Sequence, residues 1–259
     1  MKRIDTHAHI FLANTSSVKD ARYVPNYDAS LERYEGMLKE LGFTHGVLIQ
    51  PSFLGVDNSY MLNEMQKYDN LRAVVVAEPL LALELFKKHT KIISGLRLNL
   101  ISKESPDFNA KQWKSCLSYM KEHGLHVEIH KEAEFLEDII KSLLDFGVKI
   151  VIDHLARPKK ARDLDFLEDF RDEKNIFFKV SGFYRINEDL EEIRSIFLKL
   201  LRLFGDDNFV FGSDFPFTNF ESKITAKRVL EDFYEVVKEE HLREKILNIN
   251  PSKLFGFSQ

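Results

Sequence analysis

Eight short runs of β-branched and aromatic residues, each followed by a longer segment of helical spacing, constrain this chain more than any other feature. Such alternation is the mark of repeated strand–helix units. The runs span 3–10, 46–51, 71–77, 94–100, 125–130, 149–154, 176–181 and 208–213. Between them apolar residues recur every three or four positions, as in Leu31-Tyr34-Met37-Leu38-Leu41, Phe135-Ile139-Ile140-Leu143-Leu144 and Leu190-Ile193-Phe197-Leu200-Leu201. Gly42, Gly124 and Gly147 follow three of these segments, where a left-handed helix cap is expected. Continuous apolar runs such as Val74-Val75-Val76 and Ile150-Val151-Ile152 predict parallel strands covered on both faces. Eight units in 259 residues, with no second compositional zone and no glycine-rich dinucleotide fingerprint, predict one closed (β/α)8 TIM barrel spanning residues 1–259 as a single domain. The irregular stretch 14–28 is expected to fold over the barrel mouth.

Charge and composition narrow the partners. A net charge of −4 provides no basic face for nucleic acid or for an anionic membrane surface, and no apolar run is long enough to cross a bilayer. Lys2-Arg3 leads directly into a stretch interrupted by Asp5 and His7, so no signal peptide is expected and a reducing cytoplasm is the expected location. The single cysteine, Cys116, lies in an amphipathic segment and reads as a buried structural thiol. Oligomeric state is left open by the sequence.

The out-of-place polar residues gather at the C-terminal ends of the runs, the face on which barrels build active sites. His7 and His9 share one face of the first strand, because side chains alternate with period two. The fifth run ends in His130, the sixth in Asp153-His154, and the eighth leads into Gly212-Ser213-Asp214-Phe215-Pro216. Barrel closure would bring His7, His9, His130 and Asp214 together as three imidazoles and a carboxylate, a set suited to zinc, manganese or iron(II). Arg97 interrupts an otherwise apolar strand, and a buried guanidinium needs a partner or a ligand. With Lys103, Arg157 and Arg185 it suggests a small anionic substrate, since guanidinium forks suit carboxylates.

Five motifs, Asp5-Thr6-His7-Ala8-His9, Ser94-Gly95-Leu96-Arg97-Leu98-Asn99, Asp153-His154-Leu155-Ala156-Arg157-Pro158, Lys179-Val180-Ser181-Gly182 and Gly212-Ser213-Asp214-Phe215-Pro216, resemble the amidohydrolase superfamily. They look closest to its branch of 2-pyrone-4,6-dicarboxylate lactonase and the sugar and muconolactone lactonases. Gln50-Pro51-Ser52 resembles that branch's second strand and loop, which implies that Gln50 and Ser52 face the substrate. The resemblance further implies that Asp214 is general base to the hydrolytic water. His154 would polarise the scissile carbonyl or stabilise its oxyanion, while Arg97, Arg157 and Arg185 hold substrate carboxylates.

Two positions depart from the dicarboxylate lactonase. Lys103 stands where that enzyme has a second arginine, and His130 where it has a tyrosine. A histidine there completes the metal set in metal-using relatives, so one divalent ion, zinc or manganese, is expected, with metal-free catalysis as the alternative. No lysine ends the fourth strand to bridge a second ion. The expected activity is opening of a carboxylated lactone. The competing readings are a metal-dependent decarboxylase of an aromatic or muconate-like acid, and a non-catalytic barrel that only binds.

Overall fold

The computed structural model describes residues 2–257. A strand forms at each of the eight runs: β1 (Ile4–Ala8), β2 (His45–Ile49), β3 (Leu71–Val75), β4 (Ile93–Asn99), β5 (His126–His130), β6 (Lys149–Ile152), β7 (Ile176–Val180) and β8 (Phe209–Phe211). They form one sheet in chain order, every neighbouring pair parallel. The ring closes where Ala8 bridges Phe215 and the His9 N–H donates to the Phe215 carbonyl at 2.8 Å. The architecture is a (β/α)8 barrel.

The strands end earlier than the apolar runs suggest. β1 stops at Ala8, β6 at Ile152 and β8 at Phe211, which leaves His9, Asp153, His154, Ser213 and Asp214 beyond the ladder. After β6 and β8 left-handed backbone follows: φ is +51° at His154 and +63° at Asp214, and neither value continues an extended strand.

Around the barrel, the helical spacing materialises as amphipathic cover. The helix Leu31–Leu41 turns Leu31, Tyr34, Met37 and Leu38 inward, starts on the Ser30 side chain and ends at Gly42 with φ +72°. Gly124 and Gly147 also take positive φ. The layer after β6 differs, being a run of 3-10 turns, Ala161–Phe170, that buries Leu164, Leu167 and Phe170. Cys116 is fully buried and its thiol is pushed up to about 12 by that burial, in keeping with a structural role. Among the described residues no helix is long and apolar enough to cross a membrane.

Inside the barrel, Ile4, Val47, Ile49, Val74, Val151 and Val210 form an apolar floor, closed from below by Leu254 and Phe255. Above that floor the inward positions turn polar, and the site begins there. The segment 14–28 covers this end. Phe11 and Ala29 pair at its base, Val18 N–H donates to the Phe53 carbonyl at 2.8 Å, and the hydroxyls of Tyr23 and Tyr27 donate to Glu221 Oε1 at 2.6 and 2.7 Å.

Candidate active site

A layer of charge rests on the apolar floor. Inward positions on four neighbouring elements supply Arg97 from β4, Glu128 from β5, Asp153 from the end of β6 and Lys179 from β7. Arg97 Nη2 donates to Asp153 Oδ2 at 2.9 Å, and its Nε lies 3.4 Å from Glu128 Oε1. Lys179 Nζ donates to Glu128 Oε2 and sits 3.6 Å from Asp153 Oδ1. Two cations and two carboxylates thus cancel where Glu128, Asp153 and Lys179 are sealed from water and only Arg97 touches the cavity, an arrangement that makes buried charge tolerable. The sequence reading singled out Arg97 but passed over Glu128 and Lys179, although each carries the same signal, a charge inside an apolar run.

His7 lies above this layer, fully buried, with Nδ1 3.3 Å from Asp153 Oδ1 and 3.0 Å from Lys179 Nζ. Burial first, and then the Lys179 ammonium, hold its imidazole well below the ordinary histidine range. His9 donates from Nδ1 to the Ile49 carbonyl at 2.8 Å, which leaves the lone pair on Nε2. Burial, with Arg97 nearby, brings its pKa down to about 4. His154 is likewise lowered to about 4 by burial, against the opposing pull of Asp214 and Asp153. All three rings are neutral at pH 7.

Two tight turns aim the remaining groups. Residues His154, Leu155, Ala156 and Arg157 all have positive φ, between +49° and +69°. Left-handed backbone costs roughly 1–2 kcal/mol per residue, and here it is held by the complete burial of Leu155 and Ala156. The turn brings both His154 and Arg157 to the cavity. His154 Nδ1 meets Ser181 Oγ at 2.9 Å, and Gly182 leaves room for the ring, since a Cβ there would come within 2.6 Å of Nδ1.

Asp5 secures the second turn by accepting from Ser213 N–H at 2.7 Å and Ser213 Oγ–H at 2.6 Å, while Asp214 N–H donates to the His7 carbonyl at 2.8 Å. Burial raises Asp5 to about 6, against these hydrogen bonds. Asp214 accepts from Tyr184 Oη–H at 2.7 Å and from Arg185 Nε. Burial alone would raise the Asp214 carboxyl. The Arg185 guanidinium, with His154, His7 and His9, overcomes that and holds it far below the usual carboxylate range.

These groups open on a cavity of about 290 Å³. His9, His154, Asp214, Arg97, Arg157, Arg185, His130 and Ser52 line it, as do Arg22, Tyr23, Phe53 and Asn99, which the sequence did not single out. Two expected substrate-binding residues sit elsewhere. Lys103 is exposed and outside the lining, with its carbonyl accepting from Lys131 Nζ at 2.8 Å. Gln50 is buried outside the lining too, donating to the Asp57 carbonyl at 2.8 Å to hold the 50–58 loop. His7 does not line the cavity itself but sits directly behind its wall, with its ring centroid 5.0 Å from that of His9 and 4.9 Å from that of His154. Nothing in a sequence marks Arg22, which a loop without periodicity delivers.

The donor atoms can be tested against a metal ion. His7, His9 and Asp214 each place a ligand atom within 4.8 Å of the others, and His7, Asp153 and His154 form a second such group. His7 Nε2 is buried with no hydrogen-bond partner among the described residues, and His9 Nε2 carries a lone pair. Two imidazoles and a carboxylate with positions left open fit one divalent ion. His130, expected as the third imidazole, falls in neither group; its Nε2 faces Arg157 Nη1 at 2.9 Å and its Nδ1 faces Arg97 Nη2 at 3.4 Å.

Comparison with known proteins agrees with this geometry. The amidohydrolase family model matches residues 4–257. A 2-pyrone-4,6-dicarboxylate hydrolase of Comamonas testosteroni is 25% identical over 97% of this chain and 89% of its own length. A 4-sulfomuconolactone hydrolase of Rhizobium radiobacter is 24% identical over 97% and 89%. Among solved structures, a probable 2-pyrone-4,6-dicarboxylic acid hydrolase of Acinetobacter baumannii with citric acid bound is 34% identical, with a TM-score of 0.94 over 99% of this chain and 100% of the other.

Proposed function

The chain belongs to the amidohydrolase family, and from that premise we propose that it is a hydrolase opening a small carboxylated lactone. One observation carries the reading: a single ionised carboxylate, Asp214, faces a cavity whose other charged or titrating lining groups, uncharged side chains apart, are neutral imidazoles and four guanidiniums. That surround favours an anionic substrate beside one group able to take a proton from water. The similar hydrolases of 2-pyrone-4,6-dicarboxylate and 4-sulfomuconolactone support the same substrate class.

In this mechanism Arg157 and Arg185 grip a substrate carboxylate and place the ring ester over Asp214. In the empty site Arg185 makes Asp214 a weak base. A substrate carboxylate that shares Arg185 relieves that depression, so proton acceptance is coupled to binding. Asp214 then takes a proton from water as its oxygen adds to the ester carbon. His154 acts in the tautomer whose Nδ1 accepts from the Ser181 hydroxyl 2.9 Å away, with Nε2–H directed to the oxyanion. The ring C–O bond breaks, and the leaving oxygen recovers the proton from Asp214, giving the open-chain acid. His7, His9 and Asp214 would hold one divalent ion, zinc or manganese, which when bound supplies Lewis acidity beside the scissile carbonyl. Arg97, paired with Asp153 and Glu128, fixes the cavity floor under the substrate. Ser52 borders the ring.

The test is turnover of a panel of carboxylated lactones by purified protein, with chelator and with zinc or manganese restored. Ring opening of at least one is expected. No turnover of any lactone with metal restored would remove the reading.

A further inference from the structure

The four guanidiniums of the cavity are not equally available. Arg97 is committed to Asp153 and Glu128, and Arg185 to Asp214. Arg157 donates to the neutral ring of His130 at 2.9 Å. Arg22 is different again. Among the described hydrogen bonds it makes one, from Nη2 to Asn99 Oδ1 at 3.2 Å, and no described carboxylate lies within ion-pair distance. A neutral amide occupies one corner of a planar five-donor fork and leaves the rest for a ligand. Burial and the nearby Arg97 both disfavour its charge, an electrostatic cost that an anion placed between the guanidiniums would offset.

Its loop is also placed rather than loose. The paired Phe11 and Ala29, the contact of Val18 with Phe53, and the two tyrosine hydroxyls on Glu221 tie 14–28 to three separate parts of the barrel mouth. Tyr23, next to Arg22, lines the same cavity. Lys103, the residue whose place in the sequence suggested a second anion holder, is exposed and does not line the cavity.

We propose that Arg22 is a specificity-determining residue: it receives the outer acidic group of a substrate whose inner acidic group is held by Arg157, so that the site selects planar diacids over monoacids. This rests on the reading of the cavity as the site of a small anionic substrate, and it requires no chemistry.

The experiment is therefore a binding measurement with probes that cannot be hydrolysed. Isophthalate and benzoate, two flat rings differing by one carboxylate, are titrated calorimetrically into wild type, Arg22→Met and Lys103→Ala. Loss of one charge-assisted hydrogen bond corresponds to about tenfold in affinity. The isophthalate-to-benzoate preference is expected to fall by about that factor or more in Arg22→Met and to stay unchanged in Lys103→Ala. An equal weakening of both probes in Arg22→Met would mean that the arginine only supports the loop, and would overturn the proposal. So would an unchanged preference, a loss that appears in Lys103→Ala instead, or a wild type that binds neither probe. A wild type that shows the expected pattern yet opens no lactone sustains the proposal and removes only the lactonase reading.

Discussion

Replacing Lys179 by methionine tests the buried charge layer on which the site is built. The ammonium is fully buried, donates to Glu128 Oε2, and lies 3.6 Å from Asp153 Oδ1 and 3.0 Å from His7 Nδ1. Methionine roughly preserves the volume, so the main loss is one positive charge facing two carboxylates with no access to water. Removing one partner of a buried pair costs about 3–5 kcal/mol, because the other charge is left without compensation. For a chain of this size about 1 kcal/mol moves Tm by roughly 2 °C, so a fall of about 6–10 °C is expected. Urea midpoints at pH 7 provide the assay, with wild type, Lys179→Met, Glu128→Gln and the double variant forming a cycle. Glu128→Gln removes the carboxylate that loses most, so the double variant should recover at least about 2 kcal/mol relative to additivity. A cost below about 1 kcal/mol for Lys179→Met, or simple additivity, would refute the charge-layer argument.

Two other outcomes follow from the geometry. Gly182→Ala places a methyl where it would meet His154 Nδ1 at 2.6 Å, on a backbone with φ +60°; lactone turnover should fall about 10- to 100-fold while the barrel still folds, and unchanged turnover would mean that the His154 ring position is irrelevant to rate. The second concerns pH. His9 and His154 have folded-state pKa values near 4 against an unfolded value of about 6.5; depressed values favour the unfolded state on acidification, so their contribution to stability is complete above about pH 6.5 and is lost as pH falls toward 4. Together they should remove about 2 kcal/mol between pH 7 and pH 5.5, of which Asp5, raised to about 6, offsets about 1 kcal/mol, so a lower urea midpoint is expected and one that rises would contradict their burial as neutral rings.

The barrel was legible because its strands are apolar on both faces and its helices on one, so that strand and helix periods alternate openly along the chain. The same contrast exposed His7, His9, Arg97 and His154, polar groups in strands or at their ends whose burial had to be repaid by a partner. Glu128 and Lys179 carry that signal too, and only their pairing across the barrel explains why neither is free for substrate. Residues past the strand ends were harder. Lys103 and Gln50 stand at suitable distances along the chain, yet a loop's direction follows from its own hydrogen bonds, and Gln50 is consumed by holding the Asp57 carbonyl. Arg22 reaches the cavity only because tyrosine, glutamate and backbone contacts fold 14–28 inward, and no periodic pattern encodes that. His130 shows the converse: its strand position was read correctly, but two guanidiniums turn it away from the candidate metal ligands.

The most direct measurement compares wild type and Asp214→Asn for ring opening of a carboxylated lactone at pH 7, in the same metal-supplemented buffer. Asparagine retains the shape and a carbonyl oxygen for Tyr184 and Arg185 but cannot accept water's proton, so kcat should fall by about 10²–10⁴ while the substrate still binds. Turnover in Asp214→Asn within a few-fold of wild type would contradict the assignment of that carboxylate as the base.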